Sequence, residues 1–298
     1  MPAAHAKINV HLEVLARETT GYHQIETLFC LLDLADDVDV ALGGDGIRLD
    51  VEGAELGPAE TNLAFRAAAA FFETARRPAS ARIRIVKNIP AGAGLGGGSS
   101  DAATTLLALN ALHEDVLDAA ALREVGLAIG SDVPFFLSRE PYALAWRRGD
   151  RLLPLPPPAA TPLVLVVPHA RVSTRAAYHA LAVARGEHHT PLPRMLALDA
   201  LRTFEGVATF AKNDFENVVF AAHIELREIK AGLVRAGAFH AMLTGTGSAL
   251  FGMFPSEGSA RKAAADIRAS QPNAETIVTT TLGDARVTAR RKTSNHEE

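Results

Sequence analysis

The stretch Pro90-Ala91-Gly92-Ala93-Gly94-Leu95-Gly96-Gly97-Gly98-Ser99-Ser100 is rich in glycine and carries no basic residue. It follows the alternating run Ile83-Arg84-Ile85-Val86 and leads into a helical run from Ala102 to Leu112. A turn of this kind suits an anion. Glycines let successive backbone N–H groups converge on one point without Cβ atoms in the way. The helix that follows adds the partial positive charge of its N-terminus. Ser99 and Ser100 can offer hydroxyls to a phosphate or to a metal, although Ser99 by itself also reads as an ordinary helix cap.

Three phosphate-loop templates compete. Gly92, Gly94 and Gly97 fit the dinucleotide pattern G-x-G-x-x-G. That fold also wants an acidic residue closing a second strand about 20 residues on, and here His113-Glu114-Asp115 ends a helix. Gly92, Gly97 and Ser99 fit the spacing of the Walker loop, but Gly98 stands where its lysine must be. The third template, P-x-G-x-G-L-G-[SG]-S-S, the glycine loop of the GHMP kinase superfamily, is resembled at nearly every position by residues 90–100.

Other segments resemble the same superfamily, and one branch of it. Ala4-His5-Ala6-Lys7-Ile8-Asn9 with Gly21-Tyr22-His23, Ala128–Leu137 and Asn213–Val219 are similar to the branch whose acceptor is an alcohol bearing a cytidine diphosphate. Leu243–Phe254, which contains Gly245-Thr246-Gly247, resembles the superfamily's third motif. Together the matches run from about residue 4 to 254. The resemblance implies ATP-dependent phosphorylation of the 2-hydroxyl of 4-diphosphocytidyl-2-C-methyl-D-erythritol, with Mg²⁺ as the ATP counter-ion. Rival readings are a homoserine or mevalonate type of kinase, or a non-catalytic nucleotide-binding protein of the same fold. Tyr22-His23 argues against the first two, since neither acceptor carries a base.

The resemblance assigns roles residue by residue. Lys7 alone would be a solvated edge-strand lysine, and Asp132, in Gly130-Ser131-Asp132-Val133-Pro134, a turn aspartate. The family match makes them a catalytic pair. A carboxylate within reach of the acceptor hydroxyl takes its proton, and the ammonium stabilises the developing alkoxide. Tyr22 and Tyr178 would stack on the two faces of the cytosine and His23 would hydrogen-bond to it, while Asn9 would face the erythritol end. Tyr22 and Tyr178 could equally be core aromatics. Residues 90–100 would hold the ATP phosphates, with Asn62, Leu63 and Lys87 near the adenine. Ser99 or Ser100 is a possible Mg²⁺ ligand. The chain departs from the branch at His5 (proline), at Thr20 (aspartate) and at Trp146-Arg147-Arg148-Gly149-Asp150, which keeps only the second glycine of a Gly-x-Gly segment.

These residues need a frame. Ala6–Leu15 alternates as a strand, with short strands at Val38–Ala41 and Ile47–Val51 around the turn cluster Gly43–Gly46. Helices are expected over Asn62–Thr74, from about Ser99, and over Asp118–Ile129, with a strand at 82–87. Pro156-Pro157-Pro158 can continue neither a helix nor a central strand, which suggests a boundary and domains of 1–158 and 159–298. Beyond it, strands near 163–167, 239–243, 249–254 and 275–280 mix with helices near 174–185, 197–208, 222–236 and 257–269. This mixture reads as α+β. The resemblance specifies a two-domain GHMP kinase fold with an N-terminal ATP-binding α/β domain and a C-terminal ferredoxin-like α+β domain.

Composition narrows the class. The 298 residues carry a net charge of −4, which gives no electrostatic grip on nucleic acid. No apolar run approaches the roughly 20 residues that span a bilayer. The single cysteine, Cys30, sits in the apolar run Leu28–Leu32 as a core residue and allows no disulfide within the chain. These features lead to the expectation of a cytoplasmic protein that binds neither membrane nor nucleic acid. The tail from Ala289 is polar and expected to fray.

Overall fold

In the computed structural model, which describes residues 3–17, 23–186 and 196–283, the chain builds two units that interleave along the sequence. The first takes the chain up to Lys7, then Leu34–Ala91 and Gly96–Glu140. The second takes Ile8–Asp33, Gly92–Leu95 and the chain from Pro141 onward. A boundary at residue 158 would be a single cut, whereas each of these units is discontinuous. Two long strands contribute to both, β1 (Ala3–Arg17) and β2 (His23–Leu42). The expected short strand at Val38–Ala41 is the end of β2. Its earlier part is hidden from an alternation search because Thr27 to Leu32 is buried on both faces.

In the first unit, the end of β2 (Asp37–Leu42) pairs antiparallel with β4 (Ser80–Val86), and β3 (Gly46–Glu52) runs parallel to β4. Helix α1 (Leu63–Ala75) starts at Asn62, whose side chain accepts from Ala64 N at 2.9 Å. It buries Ala64, Ala67, Ala68, Phe71 and Phe72, a stripe at helical spacing. Strand β4 (Ser80–Val86) leads through the glycine loop into α2 (Gly97–Leu112). Helix α2 buries Ala102, Ala103, Leu106 and Leu109, and it packs against α1, α3 (Ala119–Ile129) and α4 (Val133–Ser138). A helix enclosed in this way needs small or apolar residues on most of its surface, which the run SSDAATTLLALNAL supplies.

In the second unit, Ile25–Cys30 of β2 pair with β5 (Tyr142–Arg147), and β5 pairs with β6 (Arg151–Pro154). The departure at 146–150 is the turn of this hairpin, closed by Gly149 N donating to Trp146 O at 3.2 Å. A four-stranded antiparallel sheet follows, from β7 (Pro162–Pro168), β8 (His240–Leu243), β9 (Leu250–Met253) and β10 (Ala274–Thr280), in the order β10-β7-β9-β8. With α5 (Thr174–Arg185), α6 (Phe204–Ala208), α7 (Glu216–Ala222) and α8 (Ile224–Arg235) between β7 and β8, and α9 (Glu257–Ser270) between β9 and β10, this is the ferredoxin-like order. Leu226, Ile229, Leu233, Ala260, Ala264 and Ile267 seal its core against Val164 and Val166.

Two helix expectations need correction. The single helix at 197–208 is a 3₁₀ turn at Leu198–Arg202 followed by α6. Thr203 adopts an extended conformation between them and caps α6 by accepting from Gly206 N at 3.0 Å. The helix at 222–236 begins at Ile224, and His223 separates it from the unanticipated α7. Cys30 is buried, as its apolar neighbours predict. Among the described residues no helix is long and apolar enough to cross a membrane.

Candidate active site

The glycine loop ends where α2 begins. Gly96 occupies the N-cap position at φ 73° and offers no side chain to the helix. The first N–H groups of a helix have no acceptor within it, so those of α2 are available to an anion. Ser99 therefore lies inside the first turn rather than at the cap. Gly96 is required by space as well as by φ. A Cβ there would lie 2.8 Å from Phe136 Cζ and 3.0 Å from Lys7 Cγ. The loop is thus packed directly on the stem of Lys7.

Lys7 reaches from β1 to Asp132, with 3.5 Å between Nζ and Oδ2. Its side chain is 5% exposed and that of Asp132 is 30% exposed. Asp132 stands at the N-cap of α4, yet its carboxylate makes no capping bond. One catalytic candidate is therefore sealed in and the other is open to an incoming group. Ser99 Oγ turns toward this corner, 3.8 Å from where a Cβ on Gly130 would stand, whereas Ser100 is buried. Of the two serines, Ser99 has the accessible hydroxyl.

Below the loop, the ammonium of Lys87 is held between Asp36 and Asp101, with 2.7 Å to Asp101 Oδ2. Asp36 Oδ1 also accepts from Asn88 N at 2.6 Å and Ile89 N at 2.8 Å. All three side chains are buried. Burial pushes the Asp101 carboxyl up to about 7; Lys87 opposes the rise and Asp36 adds to it. Sequence reasoning missed both aspartates. Asp36 lies in the acidic run Asp33-Leu34-Ala35-Asp36-Asp37, which reads as surface.

Asn62 lines a cavity of about 490 Å³ with Leu49, Val51, Leu56, Gly57 and Ala59. Leu63 lies beside the loop, its Cδ1 3.5 Å from where a Cβ on Gly98 would stand. Lys87 contributes its backbone near this region, where a Cβ on Gly53 would meet its carbonyl oxygen at 2.8 Å, but its ammonium is engaged elsewhere.

In the second unit, Gly94 sits at φ 84°, and a Cβ would meet Thr244 O at 2.8 Å and Gly247 O at 3.1 Å. Ala249 N donates to Ala93 O at 3.1 Å. The third motif is therefore the bed on which residues 92–95 lie. Asn213 holds that bed by donating to Leu243 O and Gly245 O, each at 2.8 Å, and Glu216 accepts from Leu243 N at 2.9 Å. This gives the Asn213–Val219 match a structural reason. Asn9 is buried, its N donating to Thr244 Oγ1 at 3.1 Å and its amide to Thr27 Oγ1 at 2.8 Å. Thr27 had no sequence signal of its own, and Thr244 stood out only as part of the third-motif match.

Tyr178, on α5, stacks on His23 with ring centroids 4.7 Å apart and meets the edge of Phe215 at 4.7 Å. Asp214 anchors α5 by accepting from Arg185 at 2.5 Å and from Val14 N at 2.7 Å. Tyr22 and Thr20 lie outside the described residues, as does the tail from Ala289.

One cluster resembles a metal site. His11, Glu13 and Glu26 bring ligand atoms within 4.8 Å of one another. However, His11 Nδ1 accepts from Lys212 N at 3.3 Å, which puts the ring proton on Nε2. A metal would need a lone pair at Nε2 and a donor at Nδ1.

The chain matches the GHMP kinases N terminal domain over residues 62–140 and the GHMP kinases C terminal domain over 197–273. It is 39% identical over 267 residues to a 4-diphosphocytidyl-2-C-methyl-D-erythritol kinase of Citrifermentans bemidjiense, covering 89% of this chain and 92% of that protein. It is also 39% identical to the protein of that name from Moorella thermoacetica, over 94% and 98% of the two chains. A crystal structure of 4-(cytidine 5'-diphospho)-2C-methyl-D-erythritol kinase superposes with a TM-score of 0.79 at 35% identity, over 95% of this chain and 99% of that one. L. major mevalonate kinase shares the fold, with a TM-score of 0.70 at 13% identity over 95% and 97% of the chains.

Proposed function

This chain belongs to the 4-diphosphocytidyl-2-C-methyl-D-erythritol kinases of the GHMP kinase family, and we propose that it transfers the γ-phosphoryl group of ATP to the 2-hydroxyl of that alcohol by direct in-line displacement, in non-mevalonate isoprenoid precursor biosynthesis. The observation that carries the chemistry is the Lys7–Asp132 pair, 3.5 Å apart, with the stem of Lys7 packed against Gly96 of the glycine loop.

In this reading Asp132 accepts the hydroxyl proton as the oxygen attacks the γ-phosphorus. The bond from that phosphorus to the β,γ-bridging oxygen breaks, and ADP leaves. Lys7 stabilises charge on the attacking oxygen. A transition state of this kind leaves the protein mainly positioning and electrostatics to supply. The loop and the N-terminus of α2 receive the phosphates, and the cavity at Asn62 receives the adenine. Ser99 would be a ligand of the Mg²⁺ that accompanies ATP, alongside waters, and the ion would supply neutralisation of phosphate charge. Tyr178 stacks on the cytosine and His23 hydrogen-bonds to it, with Tyr22, outside the described residues, proposed from the resemblance for the second face. Asn9 faces the erythritol end of the acceptor, its amide oriented by the bond to Thr27 Oγ1. A single buried cysteine and ATP as donor support a cytoplasmic setting.

The test is a panel of alcohols with γ-labelled ATP. Label should appear on the cytidine diphosphate alcohol and not on homoserine or mevalonate. Transfer to either of the latter at comparable efficiency would overturn the substrate assignment.

A further inference from the structure

The Walker-type lysine is missing from this loop, since Gly98 occupies its place. A lysine nonetheless lies beneath it, because a Cβ on Gly97 would stand 3.3 Å from Lys87 Nζ. That ammonium is already flanked by the carboxylates of Asp36 and Asp101. Two carboxylates around one ammonium cannot present positive charge to a phosphate, so Lys87 serves another purpose.

Its connections identify that purpose. Asp36, on β2, accepts from the backbone of Asn88 and Ile89, the residues that enter the loop. Asp101 lies in α2, the helix that leaves the loop. Lys87 joins the two carboxylates. We propose that Asp36, Lys87 and Asp101 are positioning residues for ATP: a buried carboxylate–ammonium–carboxylate bridge that fixes the entry and exit of the glycine loop, and so the curvature in which its N–H groups meet the phosphates. The inference rests on the reading of the loop as the ATP phosphate site.

The bridge is built for geometry at some cost in stability. A buried ion pair is seldom a net gain, and an extra buried carboxylate makes it worse. Asp101 Oδ1 is buried with no hydrogen-bond partner, and burial raises the pKa of this carboxyl. A cluster serving stability alone would gain from losing that second carboxylate.

Two variants at Asp101 separate positioning from stability. Both leave a balanced Lys87–Asp36 pair, and neither introduces a bulky or helix-breaking residue. Asp101→Asn keeps an oxygen for Lys87 and preserves the bridge, whereas Asp101→Ala cuts it. Affinity is measured by calorimetry with a non-hydrolysable ATP analogue and Mg²⁺, well below the melting temperature, and KM for the cytidine alcohol is measured in parallel. The Ala variant should bind the nucleotide about tenfold more weakly, the scale expected of a sub-ångström displacement, with the alcohol KM unchanged. The Asn variant should bind within a factor of about two of the parent chain. Equal nucleotide affinity in the Ala variant and the parent would overturn the bridge. If the parent binds nucleotide but phosphorylates no cytidine alcohol, the substrate assignment fails while the bridge is still decided by the affinities. A parent that binds no nucleotide would refute both.

Discussion

Lys7 and Asp132 lie 3.5 Å apart, but only Asp132 is accessible: its side chain is 30% exposed against 5% for Lys7. The acceptor can therefore reach the carboxylate while the ammonium works from behind it. Asp132→Asn is nearly isosteric and makes no difference to helix capping, because the carboxylate does not cap α4. Its kcat should fall by roughly 10²-fold or more, as for a lost general base, with both substrates still bound. Lys7→Ala should also lower kcat, and the double variant should be little worse than the poorer single one. Losses that multiply would show that the two act independently.

Gly96 is a steric keystone, and its neighbours set what a side chain there would do. Gly96→Val should lower turnover as well as ATP affinity, because the new Cβ would collide with Phe136 and the stem of Lys7. A displacement of about 1 Å at Lys7 would cost up to about 10²-fold in kcat. Gly92→Ala is the control. Its φ of 72° is strained for alanine, but nothing lies within 4 Å of the new Cβ, so about 1–2 kcal/mol of stability should be lost with Lys7 undisturbed. Full turnover in a folded Gly96→Val protein would remove the loop from the phosphate site.

Tyr178 stacks on His23 and also touches Phe215. Tyr178→Ala should raise the KM for the cytidine alcohol by one to two factors of ten, equivalent to about 1–3 kcal/mol of lost stacking. The KM for ATP should be unaffected. If both rise together, Tyr178 is a packing residue of α5 and no part of the base site.

His240 is buried, and its Nε2 lies 3.2 Å from Val10 O. Burial lowers its pKa to about 4, with Lys230 and His11 nearby adding to the shift and the Val10 bond opposing it. The unfolded chain therefore binds this proton first as the pH falls. Stability contributed by neutral His240 should be complete above about pH 6.5 and lost progressively toward pH 4, by up to a few kcal/mol. His240→Gln keeps an N–H donor without the titration, and it should flatten this part of the unfolding free energy profile measured by urea denaturation. An unchanged profile would assign the acid sensitivity elsewhere.

What could be read in advance was local. The glycine loop is contiguous, so its spacing shows its chemistry, and the helices expected from Asn62 and from Asp118 are α1 and α3. The partnership of Lys7 with Asp132 joins the start of the chain to a turn far downstream. No spacing rule reveals it, and only the family resemblance suggested it. Asp36 was hidden for the opposite reason, since an acidic run reads as solvated until its buried partner Lys87 is known. The hairpin of β5 and β6 was missed because charged residues at Arg147, Arg148 and Asp150 mask a turn whose strands are short.

The interleaving of the two units has a consequence for biosynthesis. Leu31, in the apolar run of β2, accepts a hydrogen bond from Leu282 N at 2.9 Å, and Leu12 O accepts from Asp214 N at 3.1 Å. A ribosome releases the early partner of each pair long before the late one. At about 5–20 residues per second, Leu31 waits roughly 10–50 s for Leu282 to be made. During that interval Leu28–Leu32 is an apolar strand without its final neighbours. Destabilising changes in this stretch should therefore act first on the yield of newly made protein, and on its demand for chaperones, before they register in the activity of molecules that have finished folding.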